Sequence, residues 1–155
     1  MMKTQTSTIL KMLIVIAACF TLIALTTVIH YEVLGFLNTR LPALNIPSRT
    51  KLLVVIFVAF ITHALEMGVY GVSFFILVKF LGVGSFRGTA GFSFLNSLYF
   101  SAETYTSLGF GDLTPVGPVR LLAGIEALNG LLLIGWSASY TYIAMERFWT
   151  ANPRR

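Results

Sequence analysis

The sequence predicts an all-α membrane protein with three transmembrane helices, plus a short re-entrant helix and a glycine-rich loop before the third. Three observations carry this. Of 155 residues, 56% are hydrophobic and only 11% charged, whereas an ordinary soluble domain has about 25% charged residues. Three apolar runs reach the roughly 20 residues that a spanning helix needs. Between the second and third runs the chain is too polar for another full span, and it mixes a half-length helical stretch with glycine-rich loops.

The first span, Met12 to Ile29, carries no charge. Lys3 and Lys11 ahead of it also fit a signal peptide, and Ile16-Ala17-Ala18-Cys19 resembles a lipoprotein cleavage site. The apolar run continues well past Cys19 and ends without a small-x-small site, so a retained helix over 1–30 is expected. As the sole cysteine, Cys19 has no partner for an intrachain disulfide. Residues 31–50 mix aromatic, apolar and basic residues with Pro42 and Pro47, and they read as a linker lying along the membrane interface. The second span, Leu52 to Val78, is interrupted by His63 and Glu66. The third, Ala127 to Met145, is uncharged and is extended backwards by Leu121 to Ile125. Pro118 suits its first turn. Residues 150–155 form a short tail, and no soluble ligand-binding domain is expected.

The net charge of +5 would suggest nucleic acid in a soluble protein. Here the basic residues fall mostly in short gaps between spans, as membrane topology arranges them, and no nucleic-acid partner is expected. Six of the eleven, namely Arg40, Arg49, Lys51, Arg147, Arg154 and Arg155, would share one side, which is then the cytoplasmic one. No span carries a row of spaced arginines, so voltage sensing of that type is not expected.

The stretch 82–91, with four glycines, reads as a loop. Residues 92–106 lack Gly and Pro and read as a helix with Ser93 as N-cap. At 1.5 Å per residue it is roughly 20 Å long, too short to cross a bilayer. It would enter and stop midway, and "SLGFGD" (107–112) would lead the chain back out. Irregular backbone at that depth must be buried in protein or line a watery cavity. Residues 113–120 again read as loop.

An ion leaving water needs replacement oxygens. Consecutive carbonyls face one axis when the backbone alternates between ordinary and positive φ, which Gly109 and Gly111 adopt cheaply. Leu108 and Phe110 would then point away from that axis and pack behind the loop. The Ser107 hydroxyl would add an oxygen at the inner end. The negative end of the short helix favours a cation. One chain supplies one strand, so a closed ring of carbonyls needs several copies, most simply a cyclic homotetramer. From "GFG" alone, a plain glycine turn between two membrane helices, with no ion path, is the commoner chemistry and remains open. A dinucleotide loop does not, because its next glycine would fall at Thr114 and no strand precedes it.

At this point the stretch "YFSAETYTSLGFGDLTPV" resembles the pore helix and filter of bacterial two-transmembrane potassium channels. Their usual filter, TVGYGD, corresponds to Ser107, Leu108, Gly109, Phe110, Gly111 and Asp112, with Thr106 before it. The resemblance covers roughly residues 51–149 as a pore module. With an N-terminal helix added, the whole chain resembles small bacterial members of the potassium-channel family. It implies a passive potassium-selective channel rather than an enzyme, with potassium ions on the filter carbonyls and no other cofactor. It also implies a homotetramer in the bacterial plasma membrane, with the N-terminus outside and the C-terminus cytoplasmic. Ser at 107, Leu at 108 and Phe at 110 depart from the usual filter, which leaves a weakly selective sodium/potassium channel as an alternative. A non-conducting subunit that keeps the pore fold is another. Glu103 and Asp112 correspond to carboxyls that meet behind the filter in that family. Tyr99 falls where many channels carry a supporting tryptophan, and Gly130 where they place a hinge glycine.

Gly130 and Gly135 are candidates for a bend or a close-packing point in the third span. His63 and Glu66 share one face of the second span. An intramembrane pair of this kind is either a proton or metal sensor or an interhelical hydrogen bond, with Glu126 or Asn129 as partners. Two ligands alone are too few for a metal site.

Overall fold

The computed structural model describes residues 2–88 and 91–150. Three long helices, α1 (Met2–Arg40), α2 (Ser48–Lys79) and α4 (Val119–Thr150), are each long and apolar enough to span a membrane. A short helix, α3 (Phe94–Tyr105), lies between α2 and α4. Its 12 residues span about 18 Å, so it stops within a bilayer. The tail expected beyond Thr150, with Arg154 and Arg155, lies outside the described residues.

Two expectations are corrected. The first helix does not end near Ile29. It runs to Arg40 and passes into a 3₁₀ turn at Leu41–Ala43, so the interfacial linker shrinks to the stretch that carries the prolines. The physical reason is a second apolar stripe. Leu34, Leu37 and Leu41 are buried against Val55 of α2 and Ala144 and Phe148 of α4. No proline breaks the helix before Pro42. Lys51 Nζ fastens the turn by donating to the Pro42 carbonyl at 3.0 Å.

The second correction concerns the two stretches read as loop. Ser85–Gly88 (β1) and Leu113–Val116 (β2) pair as an antiparallel ribbon, Ser85 opposite Val116 and Gly88 opposite Leu113. With only two strands, Pro115 can face outward without breaking a ladder. The ribbon ties the chain entering α3 to the chain leaving the glycine loop.

The main core joins α1 through Val15, Cys19 and Leu22 to Tyr70, Phe74 and Leu77 of α2, Phe100 and Tyr105 of α3, and Leu122 of α4. An aromatic cluster positions the short helix. Phe74 packs edge-on to Phe100 at 5.1 Å and to Phe86 of β1 at 5.9 Å, and Phe86 meets Phe100 at 4.7 Å. Such pairs are each worth about 0.5–1.5 kcal/mol beyond the area they bury. The opposite helix faces stay apolar and exposed, as at Phe20, Phe36, Phe57, Phe60 and Leu132. This inverted pattern belongs to helices whose outer solvent is lipid or another helix, and the chain is a membrane protein.

Candidate functional site

Ser93 caps α3 by accepting a hydrogen bond from the Asn96 amide at 3.1 Å. At the other end, the glycine loop satisfies the helix's last carbonyls itself. The Ser107 amide donates to Thr104 O at 3.0 Å, and the Leu108 and Gly109 amides donate to Glu103 O at 2.8 and 3.3 Å. The Thr106 hydroxyl turns back onto Ala102 O at 2.8 Å. Orphan carbonyls at a helix end need such partners. The loop therefore hangs from the end of α3 in a fixed position.

Within the loop the backbone alternates. Ser107, Gly109 and Gly111 have φ of 59°, 57° and 80°, while Leu108 and Phe110 between them do not enter the positive region. This is the alternation that the two glycines predicted. Ser107 joins them although it is not glycine, and nothing in its residue type signals that. Consecutive carbonyls in such a backbone can face one side. The side chains of Leu108 and Phe110 do not pack behind the loop within the chain. They are 60% and 66% exposed.

The support behind the loop differs from what the resemblance implied. Glu103 and Asp112 are not hydrogen-bonded to each other among the described residues. Glu103 Oε2 accepts from the Phe110 amide at 3.1 Å, and the Tyr99 hydroxyl donates to Asp112 Oδ1 at 3.3 Å. Tyr99 stands between the two carboxyls, while Phe100 is taken up by the aromatic core. Burial pushes the Glu103 carboxyl above its ordinary value. The Phe110 amide opposes that shift and the nearby Asp112 charge adds to it.

A second group lies behind α3. Glu66 is fully buried and takes Oε1 to His30 Nδ1 at 3.0 Å and Oε2 to His63 Nδ1 at 3.1 Å. The Tyr105 hydroxyl also donates to Glu66 Oε2 and lies 2.9 Å from His63 Nδ1. Ser137 Oγ of α4 sits 3.1 Å from both Nε2 atoms. The pair on α2 thus gains partners from α1, α3 and α4, but not the expected ones. Asn129 instead donates to Thr26 Oγ1 at 2.8 Å and Tyr70 Oη at 3.1 Å. Glu126 pairs with the Ser101 hydroxyl, and its Oε2 is buried without a partner among the described residues. His30, Tyr105 and Ser137 were missed in the sequence. Only His30 carried a signal there, as an ionisable residue at the end of an apolar run.

Gly130 has a packing role. A Cβ there would lie 2.2 Å from the Tyr105 carbonyl oxygen, so glycine lets α4 touch the end of α3. At Gly135 an added Cβ would meet nothing within 4 Å. α4 runs as one helix through both positions.

Comparison with known proteins places this arrangement. A family model described as "Ion channel" matches residues 50–147. The inward rectifier potassium channel Kirbac3.1 of Paramagnetospirillum magnetotacticum is 38% identical over 56 residues. That match covers 36% of this chain and 19% of the relative, so the chain spans a minor part of that protein's length. No solved structure matches the chain significantly. The family model spans more than half of the sequence and includes most of α2, the ribbon, α3, the loop and most of α4. The chain belongs to the ion channel family.

Proposed function

We propose that four copies of the chain assemble around a common axis and conduct potassium passively through a filter built from residues 106–111. The observation that carries this is the alternating backbone at Ser107, Gly109 and Gly111, suspended from the end of a half-length helix. A dehydrated cation needs a stack of oxygens, and the carbonyls of Ser107, Leu108, Gly109 and Phe110, with the Thr106 and Ser107 hydroxyls at the inner end, supply one quarter of each ring. The exposed Leu108 and Phe110 side chains support the multimeric reading, because each has an apolar surface that a neighbouring chain would cover. The limited likeness to a protein named a potassium channel also favours potassium. In this reading the N-terminus lies outside and the end of α4 on the cytoplasmic face of a bacterial plasma membrane, as the resemblance to bacterial potassium channels implies and the bias of basic residues supports.

The test is flux into liposomes containing the purified full chain. Thallium or rubidium uptake that barium blocks is expected. Its absence at every pH tried would leave a non-conducting subunit. Reversal potentials in mixed sodium and potassium then read selectivity. A potential near that of the potassium gradient is expected. A value midway between the two gradients would assign the weakly selective channel instead, with Ser107 and Phe110 as the residues to exchange first.

A further inference from the structure

His63 and Glu66 alone are too few to hold a metal, but the fold brings a third ligand. His30 of α1 arrives beside them, and the ligating atoms of His30, His63 and Glu66 all lie within 4.8 Å of one another. The two shortest separations, His30 Nδ1 to Glu66 Oε1 and His63 Nδ1 to Glu66 Oε2, are 3.0 and 3.1 Å. Atoms bonded to a tetrahedral zinc ion at about 2.0–2.1 Å stand roughly 3.3 Å apart, close to both histidine–carboxylate separations, while the two histidines, whose ligating atoms stand within 4.8 Å of each other, would draw together on such an ion. Two imidazoles and one carboxylate suit zinc and its neighbours in the first transition row, and leave a fourth position open.

The surroundings meet the same requirement. A histidine that ligates through Nδ1 carries its hydrogen on Nε2, and that hydrogen needs an acceptor. Both Nε2 atoms lie 3.1 Å from Ser137 Oγ. A serine oxygen has two lone pairs, one for each histidine, so neither ring nitrogen would be left unpartnered. The Tyr105 hydroxyl stands beside Glu66 Oε2 and His63 Nδ1, where it orients the carboxylate. His63 keeps 16% of its side chain exposed, while His30 and Glu66 are sealed. An ion would therefore reach the group past His63.

We propose that His30, His63 and Glu66 bind a divalent transition-metal ion of the zinc class, one per chain, which clamps α1 to α2 against the end of α3. Tyr105 immediately precedes the loop at Thr106, so the clamp acts on the residue from which the loop begins. This goes beyond conduction and is tested on the protein itself rather than through flux.

The full chain is purified in detergent without a polyhistidine tag, stripped with a chelator and equilibrated separately with zinc and cobalt(II). One ion per chain is expected by elemental analysis, with the intense visible bands of tetrahedral cobalt. His30→Gln and Glu66→Gln should each abolish the stoichiometric ion, whereas Cys19→Ser should retain it. Zinc-edge X-ray absorption on the wild type needs no variant and counts imidazoles directly, with two expected. Substoichiometric metal in the wild type, fewer than two imidazoles, or unchanged binding in His30→Gln would overturn the proposal and leave the group as a hydrogen-bonded lock between helices.

Discussion

Glu103 is the side chain through which pH should act on the loop, because its carboxyl accepts from the Phe110 amide. Its ordinary value is about 4.5, and burial raises it in the folded protein. A carboxyl raised on folding contributes stability that is fully present below the unfolded value and is lost as pH rises through the folded one. In that window the unfolded chain ionises first and is favoured. The thermal midpoint of the wild type should therefore fall as pH climbs from about 4.5, where burial of Glu103 acts. Glu103→Gln keeps an oxygen for the Phe110 amide but removes the ionisation, so this part of the slope should vanish. Midpoints measured across that range for both proteins decide the matter, and parallel curves would reject it. The sequence placed Glu103 and Asp112 near the loop, but not the partner of each. Phe110 donates through its backbone, which leaves no mark in residue type. Tyr99 Oη reaches Asp112 only because the loop doubles back along α3.

At the scale of elements, the contact between α3 and α4 rests on Gly130. Adding a methyl group there drives it into the Tyr105 backbone, which cannot rotate away. Overpacking of this kind costs about 1–3 kcal/mol. Gly130→Ala should lower the melting temperature of the detergent-solubilised protein, while Gly135→Ala should leave it unchanged or raise it by up to the equivalent of about 1 kcal/mol. Equal, small effects at both positions would mean that the close approach is not a constraint. The spans were legible because hydropathy is a local property that sums along the chain. The half-helix was legible from its length and its Ser93 cap. The β1–β2 ribbon was not, since it joins four-residue segments far apart in sequence, each rich in turn formers. The continuation of α1 to Arg40 was hidden for a similar reason. Glu32, Asn38 and Arg40 look interfacial, and only the packing of Leu34 and Leu37 on two other helices shows why the helix persists. The His30–Glu66–Ser137 group needed three helices in register, which no single segment encodes.

The whole molecule exposes apolar surface of two kinds, and they should behave differently. Phe20 on the outer side of α1 is 72% exposed, and lipid satisfies it. Phe110 is 66% exposed at the mouth of a loop held by polar contacts, where lipid would meet the loop's backbone. In the proposed tetramer a neighbouring chain would cover that side chain and leave the carbonyls to an aqueous axis. Burying a phenylalanine stabilises by about 1.5–3 kcal/mol, and a fourfold ring would repeat the contact at each interface. Phe110→Ala should therefore shift the detergent-solubilised protein from tetramer towards smaller species on dilution, whereas Phe20→Ala should assemble like the wild type. Light scattering or native mass spectrometry across a dilution series reads this directly. If Phe110→Ala stays as tetrameric as the wild type, the ring is held elsewhere, and the exposed faces of α4 at Leu128, Leu131 and Leu132 become the surfaces to vary. If Phe20→Ala dissociates as readily, α1 belongs to the interface between chains and lipid is not its solvent.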